Sequence, residues 1–244
     1  MKYFSWFIFL ILLSSCSGGQ KDDCITSMGD IVSIDRDVMT FDKLYVEDRI
    51  KVILVQDSSQ YGRIELNGPS NLLDQIESNV SNKQLRLVNT NTCNFVRSFN
   101  YEIKVKVYVN ELTGIHVESI AEVVSSDTIN IGFLNILHPA LSDIKLTLSG
   151  DEVFIQSRNS AKTILEGNLR VLKGSIEEIS DLNAEHLICD EVYLDSHSPL
   201  DCYVNATKGM YMNIYNSGNI FYVNEPSDYK ILASRTGSGQ FLKK

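Results

Sequence analysis

The chain has 244 residues, with 22 basic against 31 acidic side chains and a formal net charge of −9. This length suffices for one large domain or two small ones. A nucleic-acid-binding protein needs clusters of lysine and arginine to neutralise phosphates. The acidic balance and the lack of any run of basic residues therefore argue against nucleic acid as a partner.

The N-terminal segment predicts export from the cytoplasm. Lys2 gives a positive start, an almost unbroken apolar run follows over residues 4–13, and small residues lead to Cys16. This is the layout of a secretory signal peptide over residues 1–15. Its last residues, Leu13-Ser14-Ser15-Cys16, resemble a bacterial lipobox, whose cysteine is acylated and becomes the first mature residue. We therefore predict a lipid anchor on Cys16 that holds the protein on a membrane.

Two other interpretations of this segment remain, an ordinary cleaved signal and a transmembrane helix. The apolar run is short for a helix that must span a bilayer with its flanks.

Residues 16–29 are predicted to form a lipid-anchored linker, because the sequence after Cys16 is small, polar and charged. Gln20-Lys21-Asp22-Asp23 resembles the signal with which some Bacteroidota export lipoproteins to the outer face of the outer membrane, although it lies farther from the cysteine than usual. We expect the protein to be lipid-anchored in the outer membrane and displayed at the cell surface, with periplasmic display as the alternative.

Four cysteines follow the lipidation candidate, namely Cys24, Cys93, Cys189 and Cys202. An oxidising envelope compartment would allow disulfides, and four cysteines allow three pairings, which the sequence leaves open. No Cys-x-x-Cys spacing is present, which argues against zinc and thioredoxin-like redox sites. Cys202 falls at an apolar position of the repeat described next, so we expect it to be a buried thiol.

An internal repeat of about twenty residues follows Leu112. It has two columns of largely apolar residues, and a polar residue precedes each member of the second column. The first column is Ile115, Leu134, Val153, Leu172, Val192, Met212 and Ile231. The second is Val123, Ile144, Ile164, Leu182, Cys202, Ile220 and Phe241, preceded by Glu122, Asp143, Thr163, Asp181, Asp201, Asn219 and Gln240.

Short alternating strands at a fixed period, with turn formers between them, are typical of a stacked solenoid. Each coil completes its core only against its neighbours. We therefore predict an all-β fold in which residues 112–244 form a right-handed parallel β-helix-like solenoid of about seven coils. An antiparallel sandwich of short strands is the alternative. Residues 30–111 also read as strands, and we expect them to form a small β-rich cap over the first coil.

The chain resembles the putative auto-transporter adhesin, head GIN domain family over residues 41–241. The resemblance rests on Phe41-Asp42-Lys43-Leu44-Tyr45-Val46, Asn71-Leu72-Leu73, Leu85-Arg86-Leu87, the strand at 101–109 leading to Leu112, and repeats of the type Ser-Gly-Ser-Gly-Asp-Ile. Two late repeats, 217–220 and 236–241, keep glycines, whereas 142–144 and 180–182 have lost them. Because glycine allows positive φ, we expect the middle turns to differ from those of the family. The resemblance implies a β-rich extracytoplasmic protein that serves adhesion or surface binding.

Tyr203 and Phe221 are the candidate ligand-binding residues. Strand alternation points both outward in adjacent coils, where their rings could stack as an exposed platform. Glycans or envelope proteins are the expected partners. Alternatively, the aromatic rows only stabilise the strands.

We expect no metal, no cofactor and no catalysis. Asp181 and Asp201 would stand about 5 Å apart on adjacent coils, but two carboxylates do not supply the six to eight oxygens that calcium takes. The four histidines are scattered, and the motifs of serine hydrolases and of phosphate-binding loops are missing. The alternative is a glycan-active β-helix enzyme, a lyase or a hydrolase.

Overall fold

The computed structural model describes residues 29–91, 101–227 and 230–244. It is nearly all β, as predicted, and its strands form a parallel β-solenoid of about six turns rather than seven. The strands are β1 Ile31–Asp37, β2 Lys43–Glu47, β3 Ile50–Gln56, β4 Arg63–Pro69, β5 Ile76–Ser81, β6 Gln84–Asn89, β7 Ile103–Val109, β8 Gly114–Glu118, β9 Glu122–Ser125, β10 Ile129–His138, β11 Asp143–Ser157, β12 Lys162–Glu177, β13 Asp181–Asn183, β14 Leu187–His197, β15 Cys202–Val204, β16 Ala206–Ile214, β17 Ile220–Tyr222, β18 Lys230–Arg235 and β19 Phe241–Lys243. A helical turn, α1 Ser70–Leu73, follows β4.

Two rows of parallel strands run along the solenoid. The front row is β6, β2, β8, β10, β11, β12, β14, β16 and β18. The back row is β7, β3, β9, β11, β12, β13, β15, β17 and β19. The long strands β11 and β12 bend around the molecule and belong to both rows. Equivalent residues of successive coils therefore lie about 4.8 Å apart.

The N-terminal end combines parallel and antiparallel pairing. β4 pairs antiparallel with β1 and β7, and β5 pairs antiparallel with β6. β2 and β3, however, continue the parallel rows, with Leu44 opposite Ile115 and Val52 opposite Val123. Strands before position 112 are therefore paired in parallel with strands after it. The division between cap and solenoid at that position stays a prediction.

The inward-facing residues form one continuous hydrophobic core. Leu134, Val153, Leu172 and Val192 pair in this order across four coils, as the first column predicts, and all are buried. Full burial of such a side chain is worth roughly 1.5–3 kcal/mol relative to exposure. The core therefore depends on contacts between coils, as expected for a solenoid.

Both ends of the first predicted column are wrong. Ile115 pairs with Ile136 rather than Leu134. At the other end Val192 pairs with Met210 rather than Met212, because this coil is two residues shorter than predicted, and the register also shifts by one residue between Cys189 and Glu191. A β-bulge of this kind changes which residues of two strands oppose one another, and a fixed period cannot anticipate it.

The second column is wrong at one coil. Ile144 pairs with Thr163, which is buried, whereas Ile164 is half-buried on the outer side. The hydroxyl of Thr163 lies 3.1 Å from Nδ1 of His138, also in the interior. This hydrogen bond permits a polar residue at a core position. Lys162, not Thr163, therefore occupies the outward polar column.

The coil-closing turns in the middle of the chain use non-glycine residues at positive φ. Ser119, Asn159 and Glu178 have φ of 58°, 62° and 57°. The turn at Asn159 is held by its backbone N–H, which donates to Oε2 of Glu178 (2.7 Å), and by its side-chain amide, which donates to the Pro139 carbonyl (2.6 Å). Hydrogen bonds between neighbouring turns thus support a conformation that costs of order 1–2 kcal/mol for an L-residue.

Two glycines allow the chain to turn where coils approach closely. Gly150 and Gly167 have φ of +144° and +110°. A Cβ atom at Gly150 would lie 1.9 Å from the Ile131 carbonyl oxygen, and one at Gly167 would lie 2.0 Å from that of Leu148. Any side chain at these positions would separate paired strands.

We predict that Gly150→Ala lowers the free energy of unfolding by about 2 kcal/mol or more, because it combines a backbone clash with an unfavourable φ. Gly132→Ala is the matched control, since a Cβ atom there meets nothing within 4 Å. Urea unfolding of the two variants and the wild type measures the difference. Equal stabilities of the two variants would contradict the close approach at Gly150.

Candidate functional site

The predicted stack of Tyr203 and Phe221 is present on the outer side of the back row. The two residues are opposite each other in β15 and β17, with ring centroids 5.1 Å apart and planes inclined by 13°. Both side chains are half-buried. The Nζ atom of Lys244 lies 5.2 Å from the centroid of the Tyr203 ring. The geometry of the stack is thus as predicted, whereas its role as a ligand platform stays a prediction.

Two further ring stacks lie on the front row, and the sequence analysis missed both. Tyr193 and Tyr211 have centroids 4.5 Å apart and nearly parallel planes, and His197 stacks on Tyr215 at 4.2 Å. The predicted register placed Tyr193 opposite Asn213, whereas the pairing after the bulge places it opposite Tyr211. The spacing of 18 residues between the two tyrosines would have been the signal.

Tyr193 is fixed by an acidic neighbour. Its hydroxyl donates a hydrogen bond to Oε2 of Glu191 (3.0 Å). This hydrogen bond, together with desolvation, raises the pKa of Tyr193 to about 12. The ring therefore presents a neutral phenol, held in one orientation, at neutral pH.

The outward polar column of the back row has alternating charges over part of its length. Glu122 pairs with Lys51 (2.9 Å), and Asp143 and Asp181 lie on either side of Lys162 in the strand register. Burial, opposed by the charge of Lys162, raises the pKa of the Asp181 carboxyl. The lysines in this column relieve part of the repulsion between its carboxylates.

The two metal candidates are in the same column. Leu182 is opposite Cys202, which brings the preceding residues Asp181 and Asp201 onto adjacent coils. Asp201 Oδ1 accepts hydrogen bonds from the backbone N–H (2.8 Å) and side-chain amide (3.0 Å) of Asn219. Within the part of the chain that the structure describes, no group of three or more His, Cys, Asp or Glu side chains is placed to hold a metal ion.

Cys189 and Cys202 are free and buried. Burial raises the pKa of both thiols to about 12. The expected buried thiol at Cys202 is therefore confirmed, and Cys189 does not pair with it. The lipidation candidate Cys16 and the remaining cysteines, Cys24 and Cys93, lie outside the described residues.

A buried polar cluster lies inside the solenoid, next to the coil-closing turns. The His138 ring is 3.1 Å from the Thr163 hydroxyl through Nδ1 and 2.6 Å from the Ser142 hydroxyl through Nε2. Ser157 extends the cluster at 3.4 Å from the Thr163 hydroxyl. All four side chains are buried, and the contacts among them satisfy polar groups at core positions. Burial lowers the pKa of His138 to about 4.

The solenoid, with its rows of stacked side chains and its mixed N-terminal end, defines a β-solenoid repeat protein. The model of the family described as putative auto-transporter adhesin, head GIN domain matches residues 40–226. The chain belongs to this family. No curated protein sequence matches the chain.

Solved structures share the fold at low sequence identity. A putative adhesin from Bacteroides fragilis has a TM-score of 0.80 at 19% identity, covering 88% of this chain and 97% of that one. A putative adhesin from Parabacteroides distasonis has a TM-score of 0.67 at 16% identity, with 88% and 98% covered. A protein from the same organism described as a putative lipid binding protein has a TM-score of 0.64 at 14% identity, with 88% and 97% covered.

A search for membrane-spanning helices in the described residues found none of sufficient length and hydropathy.

We predict that His138 makes stability depend on pH. Its folded pKa of about 4 lies below the unfolded value of about 6.5, so the unfolded chain binds more protons between these values. The stability contributed by neutral His138 is complete above the unfolded pKa and is lost as pH falls through the window toward the folded pKa. The loss between about pH 7 and pH 5 should be about 2 kcal/mol.

Urea unfolding at these two pH values measures that loss. His138→Gln, which can still hydrogen-bond to the surrounding hydroxyls, should flatten the pH dependence, whereas His197→Gln on the surface should leave it unchanged. The same slope in the wild type and in His138→Gln would refute this assignment.

Proposed function

We propose that this protein is a non-catalytic, lipid-anchored surface protein with an adhesion-type binding role. Membership of the adhesin family supports the binding role and a location at the cell surface or envelope. The observation that carries the proposal is the ring stack of Tyr203 and Phe221, because parallel ladders hold such side chains in outward rows. A rod with repeated outward rows is suited to binding extended partners.

The anchor in this proposal is Cys16, acylated after removal of residues 1–15. The linker over residues 16–29 would separate the membrane from β1, which begins at Ile31. The polar and acidic composition of the linker supports a tether. Display on the outer face of the outer membrane is supported by the export-signal resemblance of residues 20–23.

Glycans or envelope proteins are the proposed partners of the Tyr203–Phe221 platform. Aromatic rings provide large contact surfaces with little loss of side-chain freedom, since only two torsions must be fixed. The competing function, a glycan-active lyase or hydrolase, has less support. The acidic pair that it would use, Asp181 and Asp201, lies in a structural ladder in which Asn219 donates to Asp201.

Protease treatment of intact cells tests the location. We expect the wild-type protein to be degraded by external protease and the Cys16→Ala variant to be lost from the outer-membrane fraction, because acylation holds the chain on the membrane. A periplasmic soluble protein should stay intact in the same cells as the control for cell integrity. Full protection of the wild-type protein would refute surface display.

Glycan-array binding and crosslinking to envelope proteins test the platform. We expect Tyr203→Ala combined with Phe221→Ala to lower the binding affinity for at least one ligand by roughly tenfold. This is the loss expected when about one aromatic contact is removed. Tyr215→Ala, which removes a ring from the other row, is the control. If the double variant bound every ligand as well as the wild type does, the platform role would be wrong.

A further inference from the structure

The outer side of the front row carries an aromatic column next to a polar one. Strand register places Phe154, Lys173, Tyr193 and Tyr211 in succession along the first column. Two residues further along each strand, and hence on the same face, the second column contains Gln156, Ser175, Asp195 and Asn213. The second column thus offers hydroxyl, amide and carboxylate groups along its whole length.

A groove of about 310 Å³ lies between the aromatic side chains of the first column. Phe154 lies at one end of it, and Tyr193, with Tyr211 stacked on it, lies toward the other; Phe154 and Tyr193 are two strand spacings or roughly 10 Å apart. Lys173 lies between them, and its Nζ atom is bound to Oε1 of Glu152 (2.8 Å), in the column on the far side from Asp195. Phe154 is 37% exposed, so its ring is accessible from solvent.

Asp195 and Asn213 provide fixed hydrogen-bonding groups along one side of the groove. The Asn213 side-chain amide donates to Oδ1 of Asp195 (2.7 Å), which fixes both side chains. This bond does not use the second carboxylate oxygen of Asp195 or the amide oxygen of Asn213, and both can accept from hydroxyl groups. Tyr193 is fixed from the opposite side, where its hydroxyl donates to Glu191. An apolar aromatic surface beside fixed hydrogen-bond acceptors is complementary to a ligand ring that has C–H groups on its faces and hydroxyl groups at its edges.

The charge around the groove selects against anions. Asp195 lines the groove, whereas Glu152 and Glu191 lie in the neighbouring column, where Lys173 and Arg170 offset part of their charge. An anionic sugar bound next to Asp195 would meet a like charge, which costs of order 1 kcal/mol even in water.

We propose that this groove binds a neutral saccharide, with one sugar ring packed between Phe154 and Tyr193 and its hydroxyls on Asp195 and Asn213. The inference rests on the proposed binding role of the chain but not on the Tyr203–Phe221 platform, which belongs to the back row. The continuing columns allow further sugar units of a linear chain to follow the axis of the solenoid.

Isothermal titration calorimetry of the full chain carrying Cys16→Ala tests the proposal. The probes are cellohexaose, maltohexaose and mannohexaose as neutral ligands, and an oligogalacturonate of equal length as the anion. We expect at least one neutral hexasaccharide to bind more tightly than the anion. Phe154→Ala and Tyr193→Ala should each weaken it about tenfold, and Tyr193→Phe, which keeps the ring, should bind like the wild type. Thermal melting checks that each variant is folded. If Tyr193→Ala does not fold, Phe154→Ala alone is sufficient for the test.

Three results would overturn the inference: no binding of any neutral hexasaccharide, equal affinity of the wild type and Phe154→Ala, or tighter binding of the oligogalacturonate. The Tyr203→Ala, Phe221→Ala double variant separates the two proposals. Retained neutral-sugar binding in that variant supports the groove. Loss in the double variant with retention in Phe154→Ala assigns the sugar to the platform, which overturns the groove and leaves the proposed function standing.

Discussion

The parallel hydrogen-bonded register between successive coils is the constraint on which the rest of the structure depends. Because strand side chains alternate between faces, one register fixes both the inward core and the outward rows. It aligns Leu134, Val153 and Leu172 inside, and it stacks Tyr203 on Phe221 outside. Stability and surface chemistry are therefore set by the same ladder, and a shift of register changes both at once.

The bulge between Cys189 and Glu191 shows this coupling. It adds one residue to β16, and the pairing after it puts Met210 rather than Met212 next to Val192 in the core. The same pairing places Tyr211 rather than Asn213 over Tyr193, and it brings Asn213 onto Asp195. The last step of each front-row column, from Tyr193 to Tyr211 and from Asp195 to Asn213, thus depends on the register after the bulge.

Periodicity was sufficient to predict the solenoid, most of the back-row column and the Tyr203–Phe221 stack, because the apolar residues of this column mark each coil even though the coils differ in length. It failed where the orientation of a side chain depends on hydrogen-bond partners from another coil. Thr163 is inward because His138, far along the chain, accepts or donates a hydrogen bond to it inside the core. No pattern of apolar residues contains that information. The bulge escaped prediction for a similar reason, since Met210 and Met212 fit an apolar column equally well.

Stacked coils also constrain which residues can occupy an outward column. Identical charges on successive coils would stand about 5 Å apart and repel by roughly 1 kcal/mol even in water. In the back row Lys162 stands between Asp143 and Asp181, and Asn219 donates to Asp201, whereas Asp181 and Asp201 remain on adjacent coils. With 22 basic against 31 acidic side chains, the protein cannot alternate charges in every row, and other outward rows are largely aromatic or neutral polar. Such side chains suit neutral, hydroxyl-rich ligands, so the electrostatics of stacking agree with the proposed binding role.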